Sequence, residues 1–212
     1  HENLNAGDNT LFIFGNAGTS GSITGLDGLN ELFTIAANGV FTQNFGSRGR
    51  EMTSNGTVNN LSFSVESSDP ISGLALNRAP QTTDMTTLLD TDALGTDYRV
   101  LAHPGAFGSG SQLSVSAVEN ATEVTITSPL ALAGNPANTP FTVIINAGES
   151  IFYESGVSDS DVTGTKVTST KNVAVFGGAE CTQIPLGVTA CDHLISQQFS
   201  TDNFDTEFRI SE

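Results

Sequence analysis

Two cysteines and a nearby histidine are the residues of this sequence whose types and spacing most directly suggest chemistry. Cys181 and Cys191 are the only cysteines, and the segment between them contains Pro185 and Gly187, which is typical of a loop or a hairpin. A disulfide here would close a short loop and contribute ~2–3 kcal/mol to stability. The alternative is a metal site formed by Cys181, Cys191 and His193, although this spacing matches no common zinc pattern. A Ser-, Thr- and Asn-rich composition is typical of secreted proteins and favours the disulfide.

An aspartate and a histidine, Asp192 and His193, directly follow the second cysteine. Such a pair can take part in acid–base or triad chemistry. The sequence contains no Gly-x-Ser-x-Gly elbow or other nucleophile signature to accompany it. We therefore interpret Asp192 as a turn-capping residue and His193 as a side chain that packs near the cysteines.

Two further histidines suggest a copper site. The amine and imidazole of His1, together with the imidazole of His103, would suit Cu(II), as in copper-dependent polysaccharide monooxygenases. His1 is either a native mature terminus or the remnant of a purification tag. We keep this enzyme as the third hypothesis, behind two non-catalytic ones.

Closely spaced carboxylates on predicted loops suggest calcium. Asp159 and Asp161 form one such pair, and Asp90 and Asp92 form another. Oxygen ligands on acidic loops suit Ca²⁺, but no Asp-x-Asp-x-Asp-Gly loop occurs. Solvated turn carboxylates are therefore the preferred interpretation, a structural Ca²⁺ is the alternative, and no other cofactor is expected.

The charge balance excludes several classes of function. The 212 residues include 7 Lys and Arg against 23 Asp and Glu, which gives a formal net charge of -16. An anionic nucleic acid or an anionic membrane surface would be repelled. No apolar run approaches the ~20 residues of a membrane-spanning helix, so membrane insertion is not expected. The first residues lack a basic start and an apolar stretch, so we expect a mature secreted protein or an excised domain without a signal peptide.

Short β-strands are predicted throughout, because β-branched residues dominate the apolar runs and several segments alternate apolar and polar residues. Gly, Asn, Asp and Pro separate these segments, as turns require. The predicted strands are 11–14, 31–36, 40–45, 60–66, 71–77, 98–102, 112–119, 122–128, 141–146, 150–154, 166–169, 173–177 and 207–210. This pattern predicts an all-β protein of two related antiparallel β-sandwich units that are packed together or share strands.

An internal repeat supports the prediction of two units. Leu94–Val100 matches Phe204–Ile210 at an offset of 110 residues, and weaker echoes lie upstream of both. The predicted units are residues 1–93 and residues 94–212, the second of which contains the cysteine loop. The last strand either closes the first unit, opens a third unit that is not present, or is donated to a neighbouring molecule.

The second half of the sequence resembles a known family. The segments Asp161–Ser169, Val173–Gly178 and Cys181–Leu194 are similar to a strand, a second strand and a "C…P.G…CDHL" block of the IgGFc-binding protein N-terminal domain. The resemblance covers residues 60 to 210 well, and the block that ends in Asp192, His193 and Leu194 is its most specific part. It implies an extracellular, non-catalytic β domain that functions in adhesion, in a matrix or in ligand binding. It also supports the disulfide and assigns Asp192, His193 and Leu194 a structural role, but it names no ligand-binding residue.

These observations lead to one preferred function and one alternative. The preferred function is a non-catalytic binding or adhesion module of a cell-surface or secreted protein, with a protein or glycan ligand at a surface. The alternative is a structural subunit of an extracellular filament or matrix that self-associates by exchanging terminal β-strands. No nucleic-acid partner is expected.

Overall fold

A computed structural model describes residues 1–5 and 7–207 of the chain. The protein is all-β, as predicted, with several antiparallel sheets packed together. Its strands, numbered β1 to β15 in chain order, are Asp8–Phe14, Ser20–Gly25, Asn30–Thr34, Val40–Ser47, Val58–Asn59, Phe63–Ser67, Ser72–Ala79, Thr82–Leu88, Gly95–Arg99, Ser111–Ala117, Thr122–Thr127, Phe141–Ile145, Ser150–Glu154, Lys166–Thr182 and Asp192–Gln197. The helical segments among these residues are two 3-10 turns, Thr91–Ala93 and Thr201–Asn203, and neither is long enough to cross a membrane.

The first half of the chain forms a small sandwich of two sheets. One sheet has the strand order β4-β1-β7-β8 and the other has the order β3-β2-β6. Alternate residues of β1, such as Leu11 and Ile13, point inward and pack with Ile23, Phe33 and Ile35. Burial of one face of each sheet is the physical consequence of the alternating sequence pattern.

The second half forms an eight-stranded sheet organised by one long strand. β14 runs for 17 residues, and its first part pairs with β11 and β9 while its second part pairs with β10 and β15. The strands on either side enclose a core of fifteen buried residues: Tyr98, Val100, Leu113, Val115, Ala117, Val124, Ile126, Leu132, Ile145, Ile151, Tyr153, Val162, Val167, Val173 and Val175. β5, from the first half of the chain, pairs with β13, so the two halves share strands.

Part of the second-half sheet repeats the strand order of a first-half sheet, which favours the predicted duplication. β4-β1-β7-β8 in the first half has the same chain order and antiparallel pairing as β12-β11-β14-β15 in the second half. The upstream echoes of the repeat lie on equivalent strands, β4 with β12 and β7 with β14. The boundary between residues 93 and 94 stays a prediction.

Several strand predictions need correction. The predicted strands 166–169 and 173–177 are two parts of β14, since the polar residues between them continue the extended backbone. β2, β8 and β15 were not predicted, because their Ser, Thr, Gly and Asp residues resemble loop sequence. The predicted strand 207–210 lies outside the described residues beyond Glu207, so the fate of the terminal strand stays a prediction.

Candidate functional site

A disulfide joins Cys181 and Cys191, as predicted, with their Cα atoms 5.4 Å apart. Cys181 is near the end of β14 and Cys191 directly precedes β15, so the bond closes the connection between two paired strands. Because the two sulfurs are bonded to each other, the alternative metal site that used both as ligands is wrong.

The loop closed by the disulfide is also braced from within. The Gln183 side chain spans the loop: its amide donates to the Val188 carbonyl, and its oxygen accepts from the Gly187 N–H at 3.2 Å. Gly187 has φ +89°, a conformation in which a residue with a Cβ would be strained. These contacts brace the loop in this conformation.

Two other loops emerge beside the disulfide loop. Residues 103–110 precede β10 and residues 155–161 follow β13. Because β10 and β13 are antiparallel neighbours, both loops lie at the same end of the sheet. The Ala106 N–H donates to the Cys181 carbonyl at 2.8 Å, and the Asp159 N–H donates to the Gly105 carbonyl at 2.9 Å. We call residues 103–110, 155–161 and 183–190 together the loop end.

Apolar side chains of the loop end face solvent. The exposed fractions are 63% for Phe107, 62% for Val157, 61% for Ile184, 69% for Leu186 and 38% for Val188. Exposed apolar groups on neighbouring loops are a common feature of contact surfaces. The sequence contained a signal for this surface, namely apolar residues within segments predicted as loops, but their proximity could not be read from it.

Phe107 adopts a backbone conformation that is unusual for a bulky residue. Its φ is +53°, in the left-handed region, which costs about 1–2 kcal/mol for a residue with a Cβ. The following N–H, that of Gly108, donates to the Ser158 hydroxyl at 2.6 Å, and the Ser109 hydroxyl donates to the Cys181 carbonyl at 2.8 Å. These bonds hold the aromatic ring outward at the tip of its loop.

The family motif residues Asp192, His193 and Leu194 lie at the start of β15 and have structural contacts. Leu194 pairs with Ala179 of β14. The Asp192 carboxylate accepts from the Thr83 N–H at 2.6 Å, which joins β15 to β8 of the first half. The sequence-based interpretation of Asp192 as a turn cap was therefore incomplete, since its main-chain partner is more than one hundred residues away.

The contact between β8 and β15 continues from Asp192 as a regular seam. Backbone N–H groups of β15 donate to side chains of β8: His193 to Thr82 Oγ1 at 2.9 Å, Ile195 to Asp84 Oδ2 at 2.8 Å, and Gln197 to Thr86 Oγ1 at 2.9 Å. Side chains thus take the place of a neighbouring strand along this edge. The seam satisfies backbone N–H groups along the free edge of β15, and it fixes the two halves of the protein against each other.

His193 is buried and is not placed for ligand contact. Its Nδ1 lies 3.4 Å from the Glu180 carbonyl, and its Nε2 has no hydrogen-bond partner among the described residues. Burial lowers the pKa of His193 to about 4, so the imidazole is neutral. Burial, together with the nearby Glu154 carboxylate, raises the pKa of Glu180 to about 7.

The predicted metal residues receive no support from their surroundings. Among residues 1–5 and 7–207, no three His, Cys, Asp or Glu side chains come together as a metal site. Asp161 accepts from the Thr163 N–H at 2.8 Å, and Asp90 accepts from the Ala93 N–H at 2.9 Å, which are turn contacts. The calcium hypothesis for Asp159, Asp161, Asp90 and Asp92 stays a prediction.

The two histidines of the copper hypothesis have different neighbours. His1 is buried, with its ring 6.0 Å from the Phe152 ring and 6.5 Å from the Phe176 ring. His103 Nδ1 lies 2.6 Å from the Thr182 hydroxyl, which itself donates to the Pro104 carbonyl at 2.7 Å. In these positions His103 supports the base of the loop end, and no contact links it to His1 within the described residues.

Comparison with known proteins identifies the family. A sequence model of the family described as IgGFc binding protein matches residues 84–212. The IgGFc-binding protein of Homo sapiens is 31% identical over 151 residues, which is 69% of this chain and 3% of that protein. The chain thus spans a small fraction of the length of this curated relative, and no solved structure matches it. The resemblance found in the sequence is confirmed: the chain belongs to the IgGFc-binding protein family.

Proposed function

We propose that this chain is a non-catalytic binding module of a cell-surface or secreted protein, and that its ligand is a protein bound at the loop end. The observation that carries the proposal is the exposure of five apolar side chains on three loops that are joined by hydrogen bonds and closed by a disulfide. A related protein bears the name IgGFc-binding protein, which favours a protein ligand. A disulfide favours an extracellular location, because the cytosol keeps thiols reduced.

The loop end has the properties of a surface prepared for binding. Hydrogen bonds and the disulfide brace its loops, so we expect little conformational entropy to be lost on association. The residues that first suggested chemistry are engaged elsewhere, since His193 is buried and Asp192 binds the first half of the chain. The proposal therefore assigns these residues to the scaffold and the exposed apolar residues to the ligand.

A binding assay with matched variants tests the site. The purified chain is immobilised, and human IgG Fc and a secreted mucin preparation are used as first probes. Leu186→Ser removes an apolar contact at the loop end, while Leu32→Ser, at an 80% exposed position on β3, is the control. We expect Leu186→Ser to weaken the binding of a responding probe at least about tenfold, as for a central interface residue, without changing the unfolding midpoint.

One result would contradict the proposed site: if Leu186→Ser and Phe107→Ser both leave the affinity of a responding probe unchanged, the ligand binds elsewhere. If neither probe binds the oxidised chain at micromolar concentration, IgG Fc and the mucin preparation are excluded as ligands, and the same variants are compared on peptides selected from a random library.

A further inference from the structure

The charges at the loop end are few and of one sign. Within residues 103–110, 155–161 and 183–190, the acidic residues are Asp159 and Asp161, and there is no Lys or Arg. The lack of cations extends over residues 100–165 and 172–208 of the sequence. A ligand at this surface therefore meets negative charge and no positive charge from these segments.

One of the two carboxylates is free for a ligand. Asp161 is occupied, because it accepts from the Thr163 N–H at 2.8 Å and lies 3.5 Å from the Ser111 hydroxyl. Asp159 is exposed, and its carboxylate has no hydrogen bond or ion pair with the described residues. Its backbone N–H is bonded to Gly105, so the carboxylate is presented beside the loop that carries Phe107.

The other carboxylates next to the loop end, those of Glu154, Glu180 and Asp192, are already used by the scaffold: Glu180 is half-buried against the Glu154 carboxylate, and Asp192 accepts from the Thr83 N–H. Glu154 Oε1 accepts from the Gly110 N–H at 3.1 Å and is half-buried. An incoming cation would displace a backbone donor to reach it. Asp159 is therefore the group at the loop end that an external cation can approach at least cost.

We propose that the loop end binds a protein surface on which a lysine or arginine lies beside apolar side chains, with the cation placed at Asp159. This inference rests on the proposed function and specifies its partner. Sialylated or sulfated glycans are disfavoured as the main ligand by charge, since residues 103–110, 155–161 and 183–190 contain no Lys or Arg that would neutralise them. An anionic membrane surface is disfavoured for the same reason.

Selection from a random peptide library tests the partner chemistry without a known ligand. A phage-displayed dodecapeptide library is panned on the oxidised chain, and the retained peptides are sequenced. We expect enrichment of Lys or Arg next to Leu, Phe or Trp. When the library is panned on the Asp159→Lys variant, we expect the enrichment of Lys and Arg in the retained peptides to fall about three- to tenfold. This is the range expected when an exposed ion pair is replaced by a pair of like charges.

A matched variant separates the local effect from the overall net charge. Glu31→Lys makes the same change of charge at an exposed residue of β3, on the three-stranded sheet. We expect this variant to retain the cation enrichment of the unmodified chain. An equal fall on Glu31→Lys and Asp159→Lys would show that net charge, and not Asp159, selects the peptides, and would overturn the inference.

The same experiment distinguishes failure of the inference from failure of the proposed function. Peptides that lack cations but are lost on Leu186→Ser would refute the partner chemistry and leave the loop end as the binding site. Peptides that bind Leu186→Ser and Phe107→Ser as well as the unmodified chain would refute both. Sedimentation of the chain with phosphatidylcholine vesicles, lost on Leu186→Ser, would also overturn the inference, because the apolar loops would then serve a lipid surface.

Discussion

The buried hydroxyl of Tyr98 predicts that Tyr98→Phe is strongly destabilising, and Tyr153→Phe serves as the matched control. Tyr98 lies in the repeated Leu94–Val100 segment and is fully buried. Its hydroxyl accepts from the Gly95 N–H at 2.8 Å and donates to the Val173 carbonyl at 2.7 Å, which fastens the start of β9 to the middle of β14. Tyr98→Phe would leave these two buried backbone groups without this partner.

The expected cost follows from the number of bonds lost. A buried group left unsatisfied costs about 1–3 kcal/mol, and a carbonyl that retains a second lone-pair partner costs less, so we expect a total of about 2–4 kcal/mol. For a domain of this size, a loss of about 3 kcal/mol corresponds to a decrease in Tm of about 6–12 °C. The structure thus predicts a large effect from the removal of one oxygen atom.

Tyr153→Phe provides the control. Tyr153 is 2% exposed and belongs to the same core, but its hydroxyl has no hydrogen bond among residues 1–5 and 7–207. Burial raises the pKa of Tyr153 to about 12, which a spectrophotometric titration of the Tyr98→Phe variant measures directly. We expect Tyr153→Phe to cost less than about 1 kcal/mol, because no bonded partner is lost.

Urea unfolding followed by far-UV circular dichroism is the appropriate assay, since the chain has no Trp and only two Tyr. The comparison holds if the slope of free energy against urea is the same for both variants. Equal losses of stability for Tyr98→Phe and Tyr153→Phe would refute the reasoning, because burial and volume alone would then explain both.

Four further predictions concern the seam, the disulfide, acid stability and assembly. Thr86→Val leaves the Gln197 N–H without its acceptor and should cost about 1–3 kcal/mol in urea unfolding, whereas Thr87→Val, at the neighbouring exposed position, should be neutral. Reduction of the disulfide should cost about 3 kcal/mol for a loop with a sequence separation of 10 residues, measured by unfolding with and without dithiothreitol. Because burial lowers the pKa of His193 to about 4, the unfolded chain alone takes up this proton as the pH falls from 6.5 to 4, and stability decreases. The raised pKa of Glu180, about 7, acts in the opposite direction between pH 7 and 4.5, so Glu180→Gln should lose stability more steeply than the unmodified chain on acidification; equal slopes would contradict the raised pKa of Glu180. Light scattering over a concentration series should give a constant mass near 22.0 kDa, and a mass that grows with concentration would instead favour assembly by terminal strand exchange.

Much of the strand pattern could be predicted from the sequence, and the exceptions have a common cause. β11 alternates apolar and polar residues because one face packs in the core, and this alternation is visible in the sequence. β8 and β15 have little such alternation. Each forms an edge of its sheet, and β8 uses Thr82, Asp84 and Thr86 as hydrogen-bond acceptors for β15. A strand stabilised by side-chain bonds to a distant strand leaves no periodic apolar signal.

In the same way, some features of the candidate site can be read from short sequence segments, whereas others depend on contacts between residues far apart in the chain. The sequence by itself determined the all-β class, the pairing of its only two cysteines and the family, because these depend on composition, on short spacings and on a contiguous motif. Only the tertiary structure decided that Phe107, Val157 and Leu186 share one end of the sheet, since they lie on loops separated by tens of residues. The same holds for Asp192, whose partner Thr83 lies in the other half of the chain. Antiparallel pairing brings the ends of distant strands together, and the register that does so depends on the packing of the whole core.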